Sequence, residues 1–478
     1  MSPSKLKIRL ASRLAAAPAS AAAACAAGAV FTGFAVAVTP SANVIELLLL
    51  GFLLLPGLLL ALADSRWLLP YGLAVWAVAP EVRRLYDWLT NTYHSMSLFT
   101  VVPLAVGCML LIPTLGKVRD LTPDMIRGLC AMACALLYAL AIGFARNGTA
   151  SLYDTANTVV PMLAIPYAVF RRSDDSVFWT KAYAFTAAGV GLYGILQYFL
   201  VPPWDAFWME HAGMTSIGKP EPLEIRVFST LNSPGPAAFY LIYALAAAAL
   251  LPAVRRFIGW AGMAAIALGL AATLVRSAWF VLVFVLAAAL AGGKLPGRAR
   301  GILVLLVSAA AVYGLLSVIP GGRQIVGRFE TIGDLANDHS YNERVSFTGH
   351  VVNMVLSDPA GKGFGGVGLA TKLKGGGALD ESVGVFDSGI GHIFVTYGVP
   401  GAAAFFAAIG FWYRDIRARV RVSGGTGLFE TLGGAVLLGS LANLLFAYSY
   451  GGAPGALIWF FVGMSLRRRG GEPHGRHG

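Results

Sequence analysis

Residues 358–368 read DPAGKGFGGVG, and residues 386–401 read FDSGIGHIFVTYGVPG. Both lie in or at the end of a polar, glycine-rich stretch from Pro320 to Ser388, in which no apolar run is long enough to cross a bilayer. The chain on either side of this stretch is almost continuously apolar. The contrast predicts helices embedded in lipid, with one long loop inserted between two of them.

The composition is typical of a membrane protein. Of the 478 residues, 57% are hydrophobic and 13% are charged, and the mean hydropathy is +0.69. Because a soluble globule carries more charge than this, we predict an all-α polytopic membrane protein. It would form a single integral membrane domain over residues 1–478 with about 14 transmembrane helices. The predicted spans are residues 20–39, 44–62, 67–80, 96–113, 126–144, 157–170, 182–200, 234–251, 257–274, 277–291, 301–319, 389–413, 428–447 and 452–466.

The basic residues predict the orientation of these spans. With the N-terminus in the cytoplasm, about two thirds of the 36 basic residues but about one third of the 24 acidic residues are cytoplasmic. The net charge of +12 therefore reflects topology and does not indicate nucleic-acid binding. We predict a bacterial inner-membrane protein with both termini cytoplasmic. Loop 320–388 would be periplasmic, and the tail 467–478 would be cytoplasmic.

Several chemistries are disfavoured by the sequence. The GxGxxG spacing from Gly361 to Gly366 follows a polar loop and not a strand, which argues against a dinucleotide site. The sequence contains no P-loop, and a periplasmic site has no access to ATP. All the cysteines fall inside predicted spans, where they are typical packing residues: Cys25, Cys108, Cys130 and Cys134. We therefore predict no metal ion and no cofactor.

Two arginines mark helix ends on the predicted outer side. Arg226 precedes a helix whose start is indicated by the sequence Asn232-Ser233-Pro234, and an arginine near a helix N-terminus favours anion binding. Residues 257–291 would make a helix of about 52 Å, too long for one span. The turn must fall at the polar pair Arg276-Ser277, so Arg276 is a candidate functional residue. In the loop before Arg226, Trp204 and Trp208 are interpreted as anchors at headgroup level.

The long loop contributes further candidates. Arg344 opens a predicted amphipathic helix over residues 342–357 and could turn its charge toward a site. Lys362 lies within the glycine run, which we interpret as a flexible lid. Asp387 and Ser388 stand immediately before the next apolar helix, where they could act as an N-cap.

The order of these motifs carries a family resemblance. RSAW lies at a periplasmic helix hairpin, and a long loop with an arginine in its helix follows. A P-x-GxGxG stretch comes next, and a short polar motif precedes G-xx-G at a helix start. Over about residues 226–410 this pattern resembles the O-antigen ligase and Wzy-type polysaccharide polymerase superfamily. The segment YGLAVWAVAPEVRRLYDW, residues 71–88, is similar to the amino-terminal region of exopolysaccharide-polymerase relatives.

The resemblance implies a metal-independent membrane glycosyltransferase. Such enzymes move a glycan from an undecaprenyl-pyrophosphate carrier to an acceptor hydroxyl and invert the anomeric centre. Arginines would then neutralise the pyrophosphate leaving group in place of a metal. The resemblance implies catalytic roles for Arg276, Arg344 and Asp387, the last as general base, and substrate-binding roles for Arg226, Lys362 and His392.

One departure from the pattern bears on the reaction. Ligases of this superfamily typically have histidine followed by asparagine at the position eleven residues before the glycine of the final G-xx-G, and here Asp387-Ser388 precedes Gly398 at that spacing. This substitution favours a polymerase that extends a chain of repeat units. The alternatives are an O-antigen ligase acting on lipid A-core, a flippase or transporter, and a structural scaffold. Expected partners are undecaprenyl-pyrophosphate-linked oligosaccharide, the lipid bilayer, and chain-length regulator and export proteins, with no nucleic acid.

Overall fold

The structure is a computed structural model that describes residues 42–115, 121–171, 175–214, 217–293, 349–374 and 388–467. Across these ranges the regular structure is helical, and the one β-type pairing is an isolated bridge between Gly218 and Ile225. The all-α prediction is therefore confirmed for the described residues. The longer elements are α1 (Ala42–Leu62), α2 (Leu68–Leu89), α3 (Val102–Cys108), α4 (Pro123–Asn147), α5 (Ala150–Met162), α6 (Ala164–Val169), α7 (Asp175–Leu200), α8 (Pro203–His211), α9 (Pro234–Leu250), α10 (Pro252–Ala272), α11 (Arg276–Gly292), α12 (Gly389–Val422), α13 (Leu428–Asn443) and α14 (Gly452–Ser465).

Many of these helices are suited to a bilayer. Among the described residues, five are long and apolar enough to cross a membrane: Val44–Leu62, Pro123–Asn147, Asp175–Leu200, Pro252–Ala272 and Gly389–Val422. Shorter apolar helical segments are Leu98–Leu111, Pro234–Leu250, Arg276–Gly292, Leu428–Asn443 and Gly452–Ser465. Each predicted span in the described ranges coincides with one helix or with consecutive helical segments. The predicted spans 20–39 and 301–319 lie outside the described residues, so the number of spans stays a prediction.

Local sequence signals set the helix ends. The hydroxyl oxygen of Thr122 accepts a hydrogen bond from the backbone N–H of Met125 at 3.3 Å, and Pro123 occupies the first turn of α4. That helix ends at Gly148, whose φ of 60° breaks the helical hydrogen-bond pattern. Capping and glycine termination thus fix the length of α4, which carries part of the candidate site.

The helix break predicted at Arg276 is present. Helix α10 ends at Ala272, residues 273 and 274 form a turn, and α11 begins at Arg276. Leu274 has a φ of 56°, a conformation that side chains rarely adopt and that occurs here in a tight turn. The interpretation that residues 257–291 cannot form one continuous span is confirmed.

The chain divides into two compact units. Unit 1 holds the described residues of Met1–Leu115, Trp179–Leu241 and Ile258–Val275. Unit 2 holds the described residues of Gly116–Phe178, Ile242–Phe257 and Arg276–Gly478. The predictions of a single integral membrane domain, of a loop at 320–388 and of a tail at 467–478 are not tested by this division and stay predictions.

Unit 1 packs α1 and α3 against α2. Its apolar cluster includes Leu53 from α1, Val75 from α2 and Phe99 from the following connection. Elsewhere in the unit, α7 and α10 approach closely, because Gly191 and Gly269 face each other with no side chain between the two backbones. Small residues at such a crossing allow the van der Waals contact that holds helices together in lipid.

Unit 2 is organised around α12, which lies along α4 and also contacts α13. Helix α14 packs against α5, α6 and α13, and α11 packs against α13. Trp412 of α12 and Trp459 of α14 are both buried, and their ring centroids are 5.4 Å apart in an edge-on arrangement. This contact lies in the second half of α12 and joins it to α14.

Candidate functional site

Helix α12 is kinked at Gly398, whose φ of 63° and ψ of 178° lie outside the helical region. Pro400 follows in the same helix, and proline has no N–H to donate to the carbonyl four residues earlier. That carbonyl belongs to Thr396, and it accepts a hydrogen bond from the N–H of Gly363 at 3.0 Å. A residue of the glycine run thus replaces the donor that proline removes.

The same loop satisfies two more backbone groups of the kink. The N–H of Val399, which would bond Val395 in a regular helix, donates to the carbonyl of Pro359 at 2.9 Å. The carbonyl of Val395 then accepts from the N–H of Lys362 at 2.7 Å. Because unpaired backbone groups are costly away from water, the kink and the loop stabilise each other.

Glycine is required on both sides of this contact. Gly363 has a φ of 72°, and a Cβ there would overlap the backbone of Gly143 in α4. A Cβ on Gly398 would overlap the carbonyl of Ala360. The glycines of the two sequence motifs therefore allow close backbone approach. The interpretation of the glycine run as a flexible lid is wrong, since residues 359–364 are hydrogen-bonded to two helices.

Side chains at the end of α4 extend this anchor. The Nδ2 atom of Asn147 donates to the carbonyls of Lys362 and Phe364, at 2.9 Å each. Arg146 forms a salt bridge with the carboxylate of Asp358. These contacts place residues 146 and 358 at the same end of unit 2, as the predicted topology requires of two residues on one side of the membrane.

A cluster of polar side chains lies next to the anchored loop. The Oδ2 atom of Asp154, in α5, accepts a hydrogen bond from the N–H of Gly365 at 2.9 Å. The hydroxyls of Tyr397 and Tyr448 are 3.3 Å apart and both interact electrostatically with Asp154. The ring of His392 stacks on Tyr448 with centroids 4.3 Å apart. Desolvation raises the pKa of Asp154 to about 6, although the hydrogen bond from Gly365 opposes the shift.

Arg276 lies at the same end of unit 2. It is half-buried and is the first residue of α11. One turn later, the Phe280 ring contacts that of Phe446 with centroids 5.4 Å apart. Phe446 is two residues from Tyr448, which carries the stacked His392. The structure thus brings Arg276, Lys362 and His392, all predicted from the sequence, to one end of unit 2.

Two predicted catalytic residues are not described. Arg344 and Asp387 lie outside the described residues, as does much of the predicted helix 342–357, of which 349–357 is helical. Ser388 is described, and its hydroxyl oxygen accepts a hydrogen bond from the N–H of Gly391 at 3.1 Å. The expected N-cap of α12 is therefore formed by Ser388.

Arg226 belongs to unit 1. Its Nε donates to the carbonyl of Thr273 at 2.9 Å, and its backbone N–H donates to the carbonyl of Ile217 at 2.8 Å. The bond to Thr273 fixes one edge of the guanidinium at the C-terminal end of α10. The substrate-binding role predicted for Arg226 is not tested by these contacts.

Unit 1 also contains a buried ionic network that sequence reasoning missed. The guanidinium of Arg84 is fully buried and donates to the carbonyls of Leu231 and Ser229, at 2.6 Å each. Its Nε lies 2.8 Å from Oδ1 of Asp205, and a second salt bridge joins it to Glu81. A buried cation is tolerated here because two carboxylates and two carbonyls surround it.

The partners of Arg84 hold a whole loop in place. Oε1 of Gln197 accepts from the N–H groups of Phe228 and Ser229, at 3.0 and 2.8 Å. Phe228 and Trp208 lie against the guanidinium, with its central carbon 4.8 and 5.8 Å from the two ring centroids. Trp208 is only 4% exposed, so its interpretation as a headgroup anchor is wrong. The network fixes the backbone that follows Arg226.

Trp204 also belongs to this network. Its Nε1 donates to Oε1 of Glu81 at 2.6 Å. The hydroxyl of Tyr193 is hydrogen-bonded to both Glu81 and Asp205. The polar edge of Trp204 therefore points to a protein carboxylate, which also corrects its interpretation as a simple interfacial anchor. In the part of the chain that is described, no group of three or more His, Cys, Asp or Glu side chains could hold a metal ion.

Comparison with known families supports the relationship suggested by the motifs. Residues 261–406, less than a third of the chain, match the O-antigen ligase family. The resemblance to the O-antigen ligase and Wzy-type superfamily is confirmed. No curated protein matches the chain. The O-antigen ligase segment includes Arg276, Lys362 and His392, as well as the glycine run and the kink in α12.

The match to the O-antigen ligase family supports coarser functional conclusions. The protein is a multi-pass membrane protein, and the partial match to the O-antigen ligase family points to enzymatic glycosyl transfer from a lipid-linked glycan. Of the residues at this end of unit 2, Asp154 was not singled out by the sequence. It lies in a short polar segment between two predicted spans and belongs to no motif.

Proposed function

We propose that this protein polymerises undecaprenyl-pyrophosphate-linked oligosaccharide repeat units into a surface or secreted polysaccharide. The observation that carries the proposal is the O-antigen ligase match over residues 261–406, which includes Arg276, Lys362 and His392. These three side chains lie at the end of unit 2 where α11 begins and where the His392 ring stacks on Tyr448. We place this end on the periplasmic side of the bacterial inner membrane.

The proposed reaction needs stabilisation of a departing pyrophosphate. The acceptor hydroxyl oxygen forms a bond to the anomeric carbon, and the bond from that carbon to the carrier phosphate breaks. Pyrophosphate leaves with the electron pair, so negative charge develops on it. Arg276 at the start of α11 combines a guanidinium with the positive end of a helix dipole, and both favour that charge. Lys362 would bind the same carrier, and Arg344 would complete the catalytic arginines. Arg226, in unit 1, stays a predicted substrate-binding residue.

The choice of polymerisation over ligation rests on the sequence before α12. The position where related ligases typically carry histidine and asparagine holds Asp387 and Ser388 here. Ser388 caps α12 through its hydroxyl, a role that asparagine could also perform. Neither Asp387 nor Ser388 supplies the imidazole that the histidine of a ligase would provide. An O-antigen ligase is therefore the second candidate. A flippase or transporter is the third.

Glycan analysis of a deletion strain separates the three functions. Accumulation of single repeat units on the carrier supports the polymerase. Free lipid-linked polymer together with bare lipid A-core overturns the polymerase and supports the ligase. Repeat units confined to the cytoplasmic leaflet overturn both and support the flippase. Polymerisation would also predict a dependence of chain length on a chain-length regulator and export proteins.

A further inference from the structure

Asp154 is a carboxylate held in place by the backbone of the glycine run. It lies in the second turn of α5, and its Oδ2 accepts the N–H of Gly365 at 2.9 Å. Gly365 has a φ of 79°, and a Cβ there would be 2.6 Å from the backbone nitrogen of Ser151 in the same helix. Close packing without a side chain therefore sets the position of this N–H relative to the carboxylate.

The surroundings of Asp154 favour a reactive carboxylate. Within the described residues, no arginine, lysine or histidine forms a salt bridge with it. The titratable groups that feel its charge are Tyr397 of α12 and Tyr448, which follows α13. Both are neutral hydroxyls near pH 7. A half-buried carboxylate without a cationic partner is a poor structural ion pair and a good proton acceptor.

The position of Asp154 relates it to the proposed site. Tyr448 stacks on His392, and the loop that holds Asp154 carries Lys362 three residues before Gly365. Asp154 is half-buried as a residue and lies at the end of unit 2 that contains Arg276. Asp154 and Arg276 therefore belong to the same compact unit.

We propose that Asp154 is the proton acceptor of the transfer reaction. Its carboxylate takes the proton of the acceptor hydroxyl as that oxygen bonds to the anomeric carbon and the carrier pyrophosphate leaves with the electron pair. This assignment rests on the proposed function. Asp154 lies outside the sequence motifs that contain the other candidate residues. With a pKa of about 6, the carboxylate is ionised at neutral pH and able to accept a proton.

The test uses the purified full chain in lipid vesicles, with its undecaprenyl-pyrophosphate-linked repeat unit as donor and acceptor. Asp154→Asn keeps the shape and an oxygen that can accept the Gly365 N–H, but it removes the basicity. We expect the transfer rate to fall by about 10² to 10⁴-fold with the donor KM unchanged. The wild-type rate should rise with pH through about 6, and this rise should be absent in Asp154→Asn.

Two comparison variants sharpen the result. Asp124→Asn alters a carboxylate at the other end of α4, where it pairs with exposed Arg127 and Arg414, and it should retain activity. Asp387→Asn tests the base predicted from the sequence. Loss of activity in Asp387→Asn with a normal rate and pH profile in Asp154→Asn overturns the proposal. If Asp154→Asn fails to accumulate, the wild-type profile decides, and a rate that is flat between about pH 5 and 7.5 overturns it.

The proposed function and the role of Asp154 fail in different ways. If the wild type joins no repeat units but transfers glycan to lipid A-core, polymerisation is overturned. The Asp154 variants are then measured in that transfer reaction with the same expected loss. If the wild type polymerises and Asp154→Asn polymerises equally fast, only the assignment of Asp154 is overturned.

Discussion

The two units differ in how the charge of a buried or half-buried side chain is compensated. In unit 1 the guanidinium of Arg84 is surrounded by Glu81, Asp205 and two backbone carbonyls, so its charge is compensated within the protein. In unit 2 the carboxylate of Asp154 receives one backbone N–H and has no cationic partner among the described residues. A fully compensated charge fixes a backbone, whereas a poorly compensated one stays reactive. The comparison separates a structural network from a candidate catalytic one.

The largest expected effect is a loss of stability when the compensated charge of Arg84 is removed. Arg84→Ala leaves Glu81 and Asp205 buried without a cation and removes two donors to the 229–231 backbone. We expect a loss of about 3–5 kcal/mol in the free energy of unfolding, and little protein in the membrane. Thermal unfolding in detergent measures the effect, with the exposed Arg127→Ala as the matched control. A normal melting temperature in Arg84→Ala would show that the network is not structural and would break the comparison.

The next effect concerns activity and not stability. Arg276→Ala should abolish polymer while the protein stays in the membrane, because the pyrophosphate loses its cation at the start of α11. We expect a rate loss of about 10² to 10³-fold in the vesicle assay. Arg276→Lys should also fail if the contact is bidentate, since lysine offers one point charge. Normal polymer length in Arg276→Ala would remove this residue from the site, and the same holds for Arg344→Ala.

A smaller effect is expected where the glycine run meets α4. Gly363→Ala introduces a Cβ that overlaps the backbone of Gly143, so the loop must shift and its bonds to the α12 kink weaken. We expect a loss of stability of about 1–3 kcal/mol together with reduced transfer, because Gly365 no longer holds Asp154. Gly410→Ala is the control in α12, since a Cβ there meets no atom within 4 Å. Equal melting temperatures for the two variants would contradict the anchored loop.

The smallest effect is a gain in stability, opposite in sign to the losses expected for Arg84→Ala and Gly363→Ala. Because burial raises the pKa of Asp154 to about 6, the ionised carboxylate destabilises the fold above that pH. Below about pH 4 the group is protonated in both folded and unfolded chains, and the penalty disappears. Asp154→Asn should therefore melt at a higher temperature than wild type at pH 7, with the difference vanishing as pH falls to about 4. A lower melting temperature at pH 7 would class Asp154 with Arg84 as structural.

Local signals in the sequence predicted much of the helical architecture. The apolar spans, the turn before Arg276 and the Ser388 cap each depend on residues within one or two helical turns, so they could be read without a structure. Three candidate residues at one end of unit 2 were found because they lie in motifs. The spans in undescribed segments and the side of the membrane stay predictions.

Long-range contacts could not be predicted in the same way. Arg84 and its partner Ser229 are 145 residues apart, and no periodicity indicates that they meet. Glu81 and Arg84, one turn apart in a helix whose first half is apolar, were the available signal of a buried partner network. Gly361 and Gly398 were visible as motifs, but their mutual packing depends on a kink that only the tertiary structure reveals.

The kink in α12 also constrains the order of biosynthesis. Translation produces α4 first, the glycine run next and α12 last, so the donors of Lys362 and Gly363 exist before the carbonyls of Val395 and Thr396 enter the bilayer. The earlier segments can therefore serve as a template on which the two halves of α12 bend. A circular permutant that moved the glycine run behind α12 would send those carbonyls into lipid before any donor had been synthesised. Chain order, as well as residue identity, is part of what makes this helix insertable.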